Sequence, residues 1–193
     1  QSRLHMELDL FAEWFAARLI EHPVDIAAWQ QACGLLVESA DMQPKCCVHR
    51  DYHCRNLLYN NGKLGIVDFQ DALRGPVLYD VASLLRDCYH TFDEASVDQW
   101  LGQFVQITPA LQGTAPDEIK RAFDWLALQR QLKAVGIFAR LHLRDHKSSH
   151  LSYIAPLLLR IQQLAAQYPA LHGLNVQLVD CIEAAKRAAL PLS

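Results

Sequence analysis

"CCVHRDYHCRN", residues 46–56, sets three cysteines, two histidines and an aspartate in eleven positions. The stretch offers three chemistries: a zinc site, a reactive thiol, or a loop whose oxygen- and nitrogen-bearing residues matter more than its sulfur. Structural zinc needs four N or S ligands arranged as a tetrahedron, from short and regular spacings. Cys46, Cys47 and Cys54 lack such spacing with His49 and His53. Cys46 or Cys47 is instead expected to point into the core of a strand, as a small buried hydrophobe. What remains is His49-x-Asp51-x-x-x-x-Asn56, followed after eleven residues by Asp68-Phe69-Gln70-Asp71.

The intervening residues decide how those two groups meet. "NLLY" and "LGIVDF" read as strands, and Asn60-Asn61-Gly62 reads as the tight turn of a hairpin between them. Such a hairpin brings Asn56 and Asp68 side by side. A carboxylate and an amide oxygen so placed suit Mg²⁺, which takes oxygen ligands at about 2.1 Å and keeps several waters. Asp51, a few residues upstream on a loop, is placed to accept a proton from an incoming hydroxyl. Asp71 reads either as a further ligand or as a plain hairpin-flank carboxylate, and the sequence leaves both open.

Outward from the hairpin, the chain turns helical. Apolar residues recur at helical spacing over 4–20, and His22-Pro23 stops that run. Asp25 is placed to cap a second helix reaching about Ser39. After the hairpin, helices are expected over 79–89, 94–107, 117–144, 154–168 and 174–189. Asp80 is placed to cap the first of these. In 94–107 Val97, Leu101, Phe104 and Val105 share one side. "FDWLALQRQLKAVGIFARLHL" is apolar nearly all round, which predicts a helix buried in a bundle. The fold class is therefore mainly α, of the α+β kind: a helical domain with one small inserted β-hairpin.

Composition narrows the function classes. The chain has 193 residues, 51% hydrophobic and 20% charged, with a formal charge of -3. That balance suits one globular domain and carries no basic footprint for nucleic acid. No apolar run is long enough to span a membrane. The six cysteines form no C-x-x-C pair, so they read as reduced thiols of a cytoplasmic protein.

The motifs carry a resemblance. "VHRDYHCRNLLY…LGIVDFQDALRGPVLYDVASLL" resembles the protein-kinase-like superfamily, in which H-x-D-x-x-x-x-N supplies a base and one metal ligand and D-F-G the second ligand. The replacement of that glycine by Gln70, the following Asp71 and "GPVLYDVA" are similar to the aminoglycoside phosphotransferase branch. "DFQDALRGPVLYDVASLLRDCY" and "FDWLALQRQLKAVGIFARLHLRD" look like the bacterial amino-sugar kinases of cell-wall recycling, and the likeness covers most of residues 4–165. It implies ATP-dependent phosphorylation of the anomeric hydroxyl of N-acetylmuramate or N-acetylglucosamine. It further implies Asp51 as base, Asn56 and Asp68 as Mg²⁺ ligands, His49 packed beneath the loop, and Asp80 bonded to the loop backbone. For the acceptor, Arg86, Asp87, Gln129, Arg130 and Lys133 are weak candidates, since structural ion pairs also explain polar residues on apolar helices.

Kinase-like enzymes also need a β-rich lobe with a glycine-rich loop and a strand lysine. Neither is present here, nor is a Walker A motif. Residues 1–193 are therefore expected to be the larger, C-terminal lobe alone, without its nucleotide lobe and with little or no activity in isolation. Two other readings stand beside this one: an aminoglycoside kinase, and a degenerate kinase-like lobe that binds without catalysing.

Overall fold

The computed structural model describes residues 2–188. The described chain forms seven α-helices and two small antiparallel sheets: α1 (Ser2–Leu10), α2 (Ile26–Met42), β1 (Lys45–Val48), β2 (Leu57–Asn60), β3 (Lys63–Ile66), β4 (Leu73–Pro76), α3 (Tyr79–Leu85), α4 (Glu94–Ile107), α5 (Pro116–Leu143), α6 (Leu151–Ala165) and α7 (His172–Arg187). The mainly α reading with an inserted hairpin holds. Asp25 caps α2 by accepting from the Ala28 amide at 2.9 Å. The expected last helix ran to 189, which lies outside the described residues. The first helix is not uniform, because a π-helical segment, Phe11–Leu19, continues α1.

The hairpin forms as the turn residues dictate. β2 and β3 pair from Leu57↔Ile66 to Asn60↔Lys63. The two residues between them, Asn61 and Gly62, have φ 48° and 77°, the left-handed pair that a twist-matched two-residue turn requires. A second sheet was not anticipated: β1 pairs with β4, Lys45↔Pro76 to Val48↔Leu73. It frames the hairpin and fixes where the loop from 49 to 56 starts.

The chain divides into two compact units. One comprises Ser39–Ala127 and holds both sheets, α3 and α4. Its core includes Val48, Leu78, Tyr79, Ala82, Val97, Leu101 and Phe123, all buried. Val97 and Leu101 are the inward residues of the amphipathic α4, whose N-terminus Asp93 caps through the Ser96 amide at 2.9 Å.

The other unit joins the residues up to Glu38 to those from Leu128 onward. Phe11 stacks on Trp29 at 5.2 Å between ring centroids and touches Phe15 at 5.0 Å. Full burial of such side chains stabilises by about 1.5–3 kcal/mol each. α5 is buried nearly all round, as its sequence predicts. Gln129, Lys133 and Gly136 lie on one face of it at helical spacing. Gln129 donates to Glu7 at 3.0 Å and Lys133 pairs with Glu7 at 3.3 Å. A Cβ on Gly136 would collide with the Leu10–Phe11 backbone, where the π segment begins.

Two expectations fail here. The α3 helix ends at Leu85 rather than 89, because the Asp87 carboxylate accepts the Tyr89 amide at 2.8 Å and closes a local turn that competes with helix. Cys46, Cys47 and Cys54 are exposed, while the buried cysteines are Cys33 and Cys181. In β1 it is Val48 that enters the core. Burial pushes the Cys33 and Cys181 thiols up to about 12.

Candidate active site

Asp51 sits half-buried on the loop between β1 and the short 3-10 turn Cys54–Asn56. That turn aims the Asn56 side chain back along the loop: its Nδ2 donates to the Asp51 carbonyl at 2.9 Å and lies 3.5 Å from Asp68 Oδ2. The hairpin thus sets Asn56 and Asp68 side by side. With Nδ2 turned to these two oxygens, the Asn56 Oδ1 is the acceptor left over.

Asp68 follows β3 with φ 68°, and Arg50, beside Asp51, has φ 79°. Left-handed backbone at a non-glycine costs roughly 1–2 kcal/mol and persists only where surrounding bonds enforce it. Those bonds are visible. Asp80 accepts the His49 amide at 2.6 Å and the Arg50 amide at 3.0 Å, one on each carboxylate oxygen. The expected capping role is not what the residue does: α3 starts at Tyr79 after Leu78, so Asp80 lies inside the first turn and its carboxylate serves the loop. His49 adds a tie to the other motif, its Nε2 lying 3.0 Å from the Val67 carbonyl. A carbonyl only accepts, so Nε2 carries the proton.

Gln70 occupies the place of the motif glycine, and its Nε2 donates to Asp68 Oδ1 at 2.7 Å. Asp68 therefore holds an amide on each oxygen. Asp71 is exposed in a turn closed by the Ala72 amide on the Phe69 carbonyl at 3.0 Å.

The residues weighed for an acceptor engage protein groups. Arg86 forms a bidentate pair with Glu94 at 2.5 and 2.7 Å and reaches Asp124 at 3.3 Å. Those two carboxylates hold the Arg86 guanidinium above its usual range against the opposing effect of burial, and Arg86 in turn lowers Glu94. Asp87 is 1% exposed and accepts the Cys54 amide at 3.0 Å. Gln129 and Lys133 engage Glu7, and Arg130 is half-buried on the same helix.

Sequence reasoning passed over Tyr89 and Glu7, and met Gln70 only as the replacement of the motif glycine. The Arg55 guanidinium lies 3.7 Å from the Tyr89 ring centroid, and the His53 ring meets it edge-on at 5.4 Å. Glu7 had no local signal, since its partners lie more than a hundred residues away.

The Cys54 thiol is exposed yet pushed up to about 11, first by desolvation and then by the Asp87 carboxylate. At pH 8 its alkylation by iodoacetamide, followed by peptide mass spectrometry, is expected to run about a hundredfold slower than that of an unperturbed thiol with pKa about 8.5. A rate equal to that of a free-thiol peptide would show that Asp87 does not face this sulfur.

With the geometry in view, comparison with known proteins gives the family. A family model described as the phosphotransferase enzyme family matches residues 2–116, more than half of the chain and every motif from His49 to Asp80. The chain belongs to the phosphotransferase enzyme family. Curated relatives agree. A protein of Pseudomonas putida named N-acetylmuramate/N-acetylglucosamine kinase is 37% identical over 191 residues, covering 96% of this chain and 56% of the relative. Proteins of the same name from Neisseria meningitidis serogroup B and Pseudomonas aeruginosa are 37% and 34% identical, covering 91% and 95% of this chain but 54% and 56% of their own lengths. This phosphotransferase-family chain thus spans about half the length of the curated relatives it matches.

Proposed function

We propose that this chain is the catalytic, acceptor-side lobe of an ATP-dependent kinase that phosphorylates the anomeric hydroxyl of N-acetylmuramate or N-acetylglucosamine in peptidoglycan recycling. One observation carries the choice of acceptor. The family model ends at residue 116, but the likeness to N-acetylmuramate/N-acetylglucosamine kinases runs over 96% of the chain, through helices that hold no phosphotransfer motif.

In this reading Asp51 takes the proton from the sugar hydroxyl as its oxygen bonds to the γ-phosphorus and ADP departs. Asn56 fixes the base through the Asp51 carbonyl, while His49 and Asp80 fix the backbone on either side. Asn56 and Asp68 fit Mg²⁺: the set is a carboxylate and an amide, hard oxygen donors few enough to leave room for water and phosphate oxygens. When bound, that ion neutralises charge on the β- and γ-phosphates. Asp71, exposed on the same flank, is a further candidate ligand. Gripping of ATP falls to a nucleotide lobe outside this chain, so the isolated chain is expected to be inactive. Leu58, Leu64, Ile66 and Phe69 are exposed on and beside the hairpin, which suits a surface covered by another part of the protein. The proposed setting is the cytoplasm, where the six free thiols would stay reduced. Among the described residues no helix is long and apolar enough to cross a membrane.

The test is an assay of the enzyme complete with its nucleotide lobe, using ATP and Mg²⁺ against both sugars and a panel of aminoglycosides. Formation of the sugar 1-phosphate is the expected result. Phosphorylation of kanamycin-type amines with no turnover of either sugar would overturn the acceptor and leave the family.

A further inference from the structure

We infer that Asp87 is a positioning residue for Asp51: a second carboxylate staple on the loop whose opposite end Asp80 holds. Between β1 and Asn56 only the 54–56 turn is regular structure, so the loop backbone takes its course from side-chain bonds. Asp80 grips its start through the His49 and Arg50 amides. Asp87, seven residues on and just past the end of α3, grips its far side through the Cys54 amide at 3.0 Å. Asp51 lies between the two.

The second grip is broader than one bond. Asp87 Oδ1 also accepts the Tyr89 amide at 2.8 Å, which turns the chain and presents the Tyr89 ring. On that ring lie the Arg55 guanidinium, 3.7 Å from the centroid, and the His53 imidazole at 5.4 Å. The segment 87–89 thereby holds 53, 54 and 55 in succession. Burying a carboxylate costs several kcal/mol unless donors surround it. An asparagine there would accept one amide and turn its own NH₂ toward the other, so the two-amide arrangement needs the carboxylate. At 1% exposure this group has no face for a dissolved sugar, which separates a positioning role from acceptor binding.

The inference rests on Asp51 being the base, and the experiment separates the two. In the complete enzyme Asp87→Asn is expected to lower kcat about 10- to 100-fold, the scale of a base displaced by about an ångström, with KM for sugar and ATP within about twofold. In an Asp51→Asn background the same substitution is expected to cost less than about twofold more, because the group it positions is gone. Independent losses that multiply, or a rise in sugar KM alone, would overturn the inference. Asp51→Asn on its own reports whether the base assignment stands. An activity-free readout covers failure of the variant to fold: in the wild-type chain the Cys54 amide should exchange with deuterium at least about a hundredfold slower than an unbonded amide. Exchange of Cys54 at the unprotected rate would refute the staple outright.

Discussion

Asp51→Asn in the complete enzyme is expected to lower kcat by about 10²–10⁴-fold, the usual share of general acid–base catalysis, while acceptor affinity barely changes. The asparagine keeps the volume and cannot take the hydroxyl proton. The elements that set the loop are untouched by it: Asn56 bonds the backbone carbonyl of residue 51, and Asp80 bonds the amides before it. The loss should therefore appear in the chemical step and not in binding or folding. Single-turnover kinetics beside a sugar-binding measurement check it. Turnover close to wild type would remove Asp51 from the mechanism.

Gly136→Ala is the substitution expected to harm folding most for its size. The added carbon would stand 2.5 Å from the Leu10 oxygen and from the Phe11 nitrogen, and backbone cannot swing aside as a side-chain tip does. Overpacking of this kind costs about 1–3 kcal/mol. For a chain of this size each kcal/mol lowers Tm by about 2–4 °C. Gly102→Ala, in α4, is the paired control, because nothing lies within 4 Å of the new carbon. There the gain in helix propensity should stabilise by up to about 1 kcal/mol. Denaturant melts of both variants read the sign directly. A Gly136→Ala variant as stable as Gly102→Ala would mean that α1 and α5 do not approach so closely.

Local rules reached far in this chain. Asn61-Gly62 specifies a two-residue turn whatever surrounds it, and the turn sets the register that leaves Asn56 beside Asp68. Periodicity placed α4 to the residue and α5 within one residue at each end. Pairing between distant segments was out of reach. β1 and β4 are short strands about thirty residues apart, with neither alternation nor a turn to announce them. Reading Cys46 or Cys47 as buried failed for the same reason, since the face a strand residue takes depends on a partner not visible in the sequence.

The order of residues by itself determined the helical class, the hairpin and the spacing of Asp51, Asn56 and Asp68, because each follows from backbone geometry within a few residues. Tertiary structure alone decided what Asp87 and Glu7 do, whereas for Asp80 the family resemblance already implied a bond to the loop backbone. Asp80 reads locally as a helix cap and Asp87 as one more polar residue, yet folding turns both onto the loop, Asp80 half-buried and Asp87 fully buried, where a carboxylate withdrawn from water must find donors. Glu7 meets Gln129 and Lys133 across more than a hundred residues for the same reason: a buried charge takes whichever partner packing supplies, and packing belongs to the whole chain.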